Sequence, residues 1–384
     1  MNQMSLNEFH QTLGANYSEV NGAQVVSDYG HPAEEYAALR ESAGVMDLSF
    51  RSRVCLTGAD RARYLHGQVT NDVKKLEPGR GTYAALTTNK GKMESDLNIF
   101  CLQDELLLDF EPGLTGKITA RLQKFIVADD VQLVDAAPYY GLLSVQGPKA
   151  AAVIQALELV VGGLEALPAR TLASVKISHA TLGEIYLVNH PRLDLSRWGA
   201  GPDAGGISGF DLFVPNASLE EVAHKLLVAA KRVGGGVVGW TAWETVRIES
   251  GIPRYGADMD ETNLPPECGI ERRAIVYDKG CYIGQEVINL IHSIGRVNRE
   301  LLGLKLAVDL ATLPQKGDRL LHAGKEVGHV TTAVKSPRFG NIALGYVRRE
   351  SGQTGTELVL QAAAGESRAR VGELPFRAIR TVPR

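Results

Sequence analysis

The stretch Gly79-Arg80-Gly81-Thr82-Tyr83-Ala84-Ala85-Leu86-Thr87-Thr88-Asn89-Lys90-Gly91-Lys92-Met93-Glu94-Ser95-Asp96-Leu97-Asn98-Ile99-Phe100 decides the fold class. Runs of β-type composition flank Asn89-Lys90-Gly91-Lys92, and that tetrapeptide reads as a hairpin turn. A strand is expected before it at Arg53 to Thr57, and a third apolar run follows at Glu105 to Phe110. Helical patterns occupy 33–44, 61–68 and 116–125. Strands and helices in this order fit a layered α+β domain better than a parallel βαβ sheet. The turn also brings Tyr83 and Asp96 within a few residues of pairing across the two strands. An aromatic beside a carboxylate is one way to hold a planar, hydrogen-bonding ligand. The other reading is a packing tyrosine and an exposed strand aspartate.

Further strands are expected at Gly141 to Val145, Thr181 to Asn189 and Phe210 to Val214, with helices at 149–157 and 218–232. Residues 190–207 are punctuated by proline and glycine and read as a loop. Beyond residue 300 the texture changes to short β-type runs at 301–307, 319–322, 326–332, 342–346 and 357–361, which suggest a small barrel or sandwich. The expected organisation is therefore 1–300 and 301–384.

At 384 residues, 44% of them hydrophobic, the chain is long enough for two or three packed cores. The net charge of −3 comes without a polybasic block or acidic tail, so composition points to neither nucleic acid nor membrane as a partner. Four widely spread cysteines, Cys55, Cys101, Cys268 and Cys281, contain no Cys-x-x-Cys pair, and reduced thiols fit them better than a disulfide framework. The histidines show no metal-ligand spacing. No basic segment followed by an apolar run opens the chain, and no run approaches the roughly 20 apolar residues of a membrane span. A soluble, cytoplasmic protein is expected.

A second composition stands out at Lys279-Gly280-Cys281-Tyr282-Ile283-Gly284-Gln285-Glu286. It puts a thiol, an ammonium, an amide and a carboxylate in one short stretch, with two glycines that relax the backbone. A nearby cation such as Lys279 can favour the thiolate; a buried cysteine on a tight turn is the alternative. Lys-Gly-Cys-Tyr-x-Gly-Gln-Glu resembles the signature of the YgfZ family, folate-binding relatives of the glycine-cleavage aminomethyltransferase, or T-protein. The runs Val246 to Pro253 and Leu264 to Glu267 are similar to the segment preceding it in both branches. Pro78 to Tyr83 and Gly91 to Leu97 resemble the stretches with which T-proteins hold tetrahydrofolate, and Asn71 and Asp72 belong to a motif shared by both.

The resemblance implies two interwoven α+β lobes around a central folate cavity, followed by a C-terminal β-barrel. It implies tetrahydrofolate, or a one-carbon derivative, as cofactor. In the YgfZ reading Cys281 is the functional thiol, supported by Lys279, Gln285 and Glu286, and the role is assembly or repair of iron–sulfur clusters, with assembly proteins or client enzymes, some of them tRNA-modifying, as partners. In the alternative, a tetrahydrofolate-dependent aminomethyltransferase or demethylase, Asp96 assists the chemistry. Two departures from the T-protein pattern favour the first reading: Ser95 replaces one of two paired aspartates, and Gly205 to Asp211 lacks a folate-binding glutamate. Tyr83, Asp96, Arg247 and Glu249 are the candidate folate contacts. Arg247 suits a carboxylate tail through paired hydrogen bonds, or a structural ion pair. The two residues share a face if their segment is a strand and not if it is a helix.

Overall fold

The computed structural model describes residues 5–157, 159, 167–194 and 207–377. The tetrapeptide at 89–92 makes the predicted turn. The Gly91 amide donates to the Thr88 carbonyl and the Thr88 amide to the Lys92 carbonyl, both at 2.9 Å, and Gly91 has φ +70°, a conformation that a side chain resists. The hairpin strands, Arg80–Thr87 and Met93–Cys101, begin a five-stranded sheet that continues through Leu106–Phe110, Ser52–Thr57 and Gln132–Asp135. Side chains alternate across it. Leu97, Ile99, Leu106, Leu108, Phe110, Val54 and Leu56 point to one face and pack with Tyr64, Leu65, Ile118 and Leu122 of the helices Arg61–His66 and Thr115–Gln123. Burying each such leucine stabilises the fold by roughly 1.5–3 kcal/mol. The opposite face carries Asp96, Asn98, Phe100, Asp109 and Arg53, and there Phe100 meets Phe213 edge-on at 5.6 Å.

Phe213 belongs to a six-stranded sheet ordered Ser174–His179, Gly183–Asn189, Ser208–Pro215, Tyr140–Gly147, Gly44–Asp47 and Gly236–Val237. Its last pair is parallel and the others antiparallel. The helix Leu219–Arg232 covers this sheet with Leu219, Val222, Ala223, Leu226 and Ala230, the one-sided spacing expected of an amphipathic helix. Glu220 and Glu221 in its first turn and Lys231 and Arg232 in its last match the helix dipole. Within the loop expected at 190–207, residues 195–206 lie outside the described residues, as do Gly205 and Gly206 of the segment that lacks the glutamate.

From Arg299 the chain forms a closed six-stranded barrel: Arg299–Leu306, Gly340–Arg348, Lys325–Ser336, Arg319–His322, Glu357–Ala362 and Gly365–Gly372. Leu304, Leu320, Val330, Ala343, Val347, Leu360 and Val371 fill it. Sequence patterning finds five of these strands. The sixth, Gly-Glu-Ser-Arg-Ala-Arg-Val-Gly, carries only Ala369 and Val371 as buried side chains and has too weak an apolar alternation to be read as a strand. The fold is α+β with a C-terminal barrel. By contacts it divides into two compact units, each built from three segments: Met1–Leu86, Ser95–Val246 and Asp278–Tyr282 in the first, Thr87–Glu94, Arg247–Tyr277 and Ile283–Arg384 in the second. Among the described residues no helix is long and apolar enough to cross a membrane.

Candidate functional site

In the first unit the structure brings Tyr83 and Asp96 together. The buried Tyr83 ring places its hydroxyl to donate to Asp96 Oδ2 at 2.9 Å. The Asn71 side-chain amide donates to the Tyr83 carbonyl at 2.9 Å, which fixes the strand that carries the phenol. Asp96 is half-buried, yet its Oδ1 is sealed from water and accepts no hydrogen bond. A carboxylate oxygen in that state is costly unless a ligand donor or a proton satisfies it. Burial first, and the nearby Glu111 second, push the Asp96 carboxyl from 3.8 up to about 6, against the Tyr83 hydrogen bond and Arg51.

Strand register explains the nearness of Glu111. Asn98 pairs with Asp109 and Ile99 with Leu108, and Glu111, one residue past the strand end and two beyond the last pair, lies on the Asp96 side of the sheet, where its charge reaches that carboxyl. Ser52 pairs with Phe110 and Arg53 with Asp109, which sets Arg51 opposite Glu111. Tyr83, Asp96, Glu111 and Arg51 thus form one polar row across four strands. Arg51 donates to Glu111 Oε1 at 2.6 Å and to Asp109 Oδ1 at 2.7 Å. Asp109 is fully buried and also accepts from Asn98 at 3.0 Å and Arg192 at 2.7 Å. Burial alone would raise its pKa, but Arg192 and Arg51 outweigh that and hold the carboxyl well below the usual range. Arg192 and His190 converge in turn on Asp211 Oδ2, each at 2.8 Å. Sequence reasoning missed this cluster. Its signal is the i, i+2 charge spacing of Arg51/Arg53 and Asp109/Glu111, which aims each pair at one face of a strand.

Arg247 and Glu249 lie in the second unit, at the end of the helix Trp240–Glu249, so they do not share a strand face. Arg247 is buried and ion-paired to Asp258 at 2.7 Å, and it donates to the Ile252 carbonyl at 2.5 Å. Thr331 and Thr332 donate to the other oxygen of Asp258 at 2.5 and 2.8 Å. Glu249 accepts from Ser336. The structural ion pair is the arrangement found for Arg247.

The octapeptide divides after Tyr282. In the first unit Lys279 does not stand as an exposed cation at the thiol. Its buried ammonium donates to the carbonyls of His66 and Val69 at 2.5 and 2.6 Å, 4.9 Å from the Tyr282 ring centroid. Burial lowers its pKa to about 8. His66 Nε2 donates back to the Lys279 carbonyl at 2.7 Å, and its Nδ1 lies 3.2 Å from Asp72. Lys279 is therefore an anchor for its segment, and His66 is the other half of the clasp. Cys281 is exposed, whereas Cys55, Cys101 and Cys268 are buried, and burial pushes the thiols of Cys55 and Cys101 upward. In the second unit Gly284 has φ +91° and caps the helix Gln285–Ile294; Gln285 opens that helix half-buried, and Glu286 is exposed.

Residues 6–279 match the family described as GCVT N-terminal domain, and residues 299–377 match the glycine cleavage T-protein C-terminal barrel domain. Relatives include an aminomethyltransferase of Herpetosiphon aurantiacus, 30% identical over 379 residues that cover 98% of each chain. Another, from Symbiobacterium thermophilum, is 30% identical over 379 residues and covers 97% of this chain and 96% of that one. The glycine cleavage system aminomethyltransferase T from Bartonella henselae shares the fold, with a TM-score of 0.81 at 22% identity over 97% of both chains. The relatives named here carry the aminomethyltransferase name rather than that of the YgfZ branch. The chain belongs to the GCVT family, with a GCVT N-terminal domain joined to a glycine cleavage T-protein barrel domain.

Proposed function

We propose that this protein is a tetrahydrofolate-dependent one-carbon transferase of the aminomethyltransferase kind, with residues 1–300 as the folate-binding region and 301–384 as the barrel domain. The observation that carries the reading is Asp96: a carboxylate held by Tyr83 through one oxygen, with the other oxygen buried and without a partner. A folate nitrogen offers the donor that this oxygen lacks, so the residues fit the group. Bound tetrahydrofolate supplies a nucleophilic amine that accepts a one-carbon unit. Tyr83 orients the carboxyl, and Asp96 Oδ1 holds or releases a proton at that nitrogen, a task suited to a carboxyl raised toward neutral pH. Arg247 and Glu249 we assign to holding their helix against Asp258 and Ser336, since both are engaged there. The aminomethyltransferase names of relatives that span nearly the whole chain support this reading. It is tested by calorimetric titration with tetrahydrofolate, together with formaldehyde release from amine donors. The expected result is binding, and turnover that Asp96→Asn removes; no competition with tetrahydrofolate at millimolar concentration sinks it.

A second reading, the YgfZ-type role in iron–sulfur maintenance through Cys281, is favoured by one observation: this thiol alone among the four is exposed. Its test is complementation, where Cys281→Ser should fail to restore iron–sulfur enzymes in cells lacking the protein while keeping folate affinity. Full rescue would leave the octapeptide as a structural turn.

A further inference from the structure

The polar row contains a residue that the proposed function does not use. Glu111 is buried and follows directly on Leu106–Phe110, a strand that supplies Leu106, Leu108 and Phe110 to the core on one face and Asp109 to the polar cluster on the other. Glu111 lies two residues beyond the Asn98–Asp109 pair, on the Asp96 side of the sheet, and close enough for its charge to act on that carboxyl. A buried carboxylate there disfavours a second negative charge on Asp96. The outer neighbours of the two carboxyls differ. Asp96 receives a neutral phenol hydrogen bond from Tyr83 at 2.9 Å, and Glu111 receives a guanidinium at 2.6 Å. The charge is therefore matched on one side of the pair only.

We propose that Asp96 and Glu111 act as a coupled carboxylate pair, in which Glu111, ion-paired with Arg51, is a positioning residue that keeps a proton on Asp96 for delivery from Oδ1. The inference rests on the one-carbon reading only for the identity of the nitrogen served. The step is a proton transfer without redox change. Protonated Asp96 gives its proton from Oδ1 to a basic nitrogen and becomes a carboxylate, and the same oxygen takes a proton back from a nitrogen made acidic by forming a new bond to carbon. The Glu111 charge disfavours the intervening double-anion state and so drives Asp96 to recover its proton. The groups facing Asp96 are Tyr83 from one neighbouring strand, Glu111 and Asp109 from the other, and Arg51 and Arg53 beyond. Arg192, His190 and Asp211 complete the cluster around Asp109.

The test is carbon-13 NMR of labelled Asp and Glu carboxyls in the ligand-free full chain, titrated with pH. In the native protein the Asp96 resonance should titrate with a midpoint near 6, and the Glu111 resonance should respond through the same step. In Glu111→Gln the Asp96 midpoint should fall, so that a smaller fraction of Asp96 is protonated at a pH near 6. Tyr83→Phe should move it the other way, because the hydrogen bond to the charged form is gone. An unmoved Asp96 midpoint in folded Glu111→Gln overturns the proposal. Should that variant not fold, a Glu111 resonance in the native protein that stays flat through the Asp96 step overturns it equally. Tetrahydrofolate titration of the same samples separates the two ideas. Coupled carboxyls without folate binding uphold the pair and sink the one-carbon reading, and normal binding with uncoupled carboxyls does the reverse.

Discussion

Replacing Asp96 with asparagine should make the ligand-free protein more stable at neutral pH, by an amount that grows with pH. The carboxyl is raised from 3.8 to about 6 in the folded state. Below about pH 4 it is protonated whether the chain is folded or not, and it contributes no difference. Between 4 and 6 the folded protein keeps a proton that the unfolded chain has released. Above 6 the ionised group must be held in a site that disfavours it, and folding is penalised. Two units at about 1.4 kcal/mol each give about 3 kcal/mol, and the partial exposure of Asp96 reduces that to about 2 kcal/mol. Asparagine keeps an oxygen for the Tyr83 hydroxyl and can turn its amide nitrogen toward Glu111. Urea unfolding followed by circular dichroism, run on both proteins from pH 4 to 8, should show a variant-minus-wild-type difference that rises by about 2 kcal/mol across the window. A difference that is flat or falls with pH would refute the reasoning, because titrating groups that do not interact with Asp96 cancel in the subtraction. The gain should come with loss of turnover, the usual opposition between an active site's chemistry and its stability.

Three further outcomes are expected. Asp258→Asn should destabilise the protein by about 3–5 kcal/mol, since it removes the Asp258 charge from the buried Arg247 guanidinium; a loss under about 1 kcal/mol in urea unfolding would place Arg247 elsewhere than in that ion pair. Gly284→Ala should cost more than Gly280→Ala: both have positive φ, but a Cβ at Gly284 would lie 2.5 Å from the Thr88 carbonyl oxygen, whereas at Gly280 it meets nothing within 4 Å. Equal thermal shifts for the two would contradict that packing. Native thiol titration should release one fast equivalent, from exposed Cys281, with Cys55, Cys101 and Cys268 reacting only on unfolding; a second fast thiol would show that one of those three is accessible.

The hairpin at 80–101 was legible because its turn is local, and with it the meeting of Tyr83 and Asp96, which needs only one turn to bring both strands together. The rest of the row was not, since Arg51 and Glu111 meet through the register of strands whose paired residues are up to 60 positions apart, and neighbouring sequence does not encode that register. Arg247 and Glu249 admitted strand and helix readings, and only the helix Trp240–Glu249 decided between them. The helix Gln285–Ile294 escaped notice because Leu290 and Ile294 are exposed apolar residues, which blur the two-faced pattern of a core-packed helix. The family resemblance reached the superfamily through motifs spread along the chain. Its narrower branch hung on the octapeptide, whose lysine proves to be an anchor.

The clasp between His66, Val69 and Lys279 bears on how the chain is made. The first unit is built mainly from residues up to Val246, but it also takes in Asp278–Tyr282, and Lys279 satisfies two of its carbonyls. During synthesis those carbonyls wait for an ammonium that emerges more than 200 residues later, at some 5–20 residues per second. The first unit is therefore fastened by a late-arriving staple, and a nascent chain stalled before residue 279 holds its sheets with that corner still open.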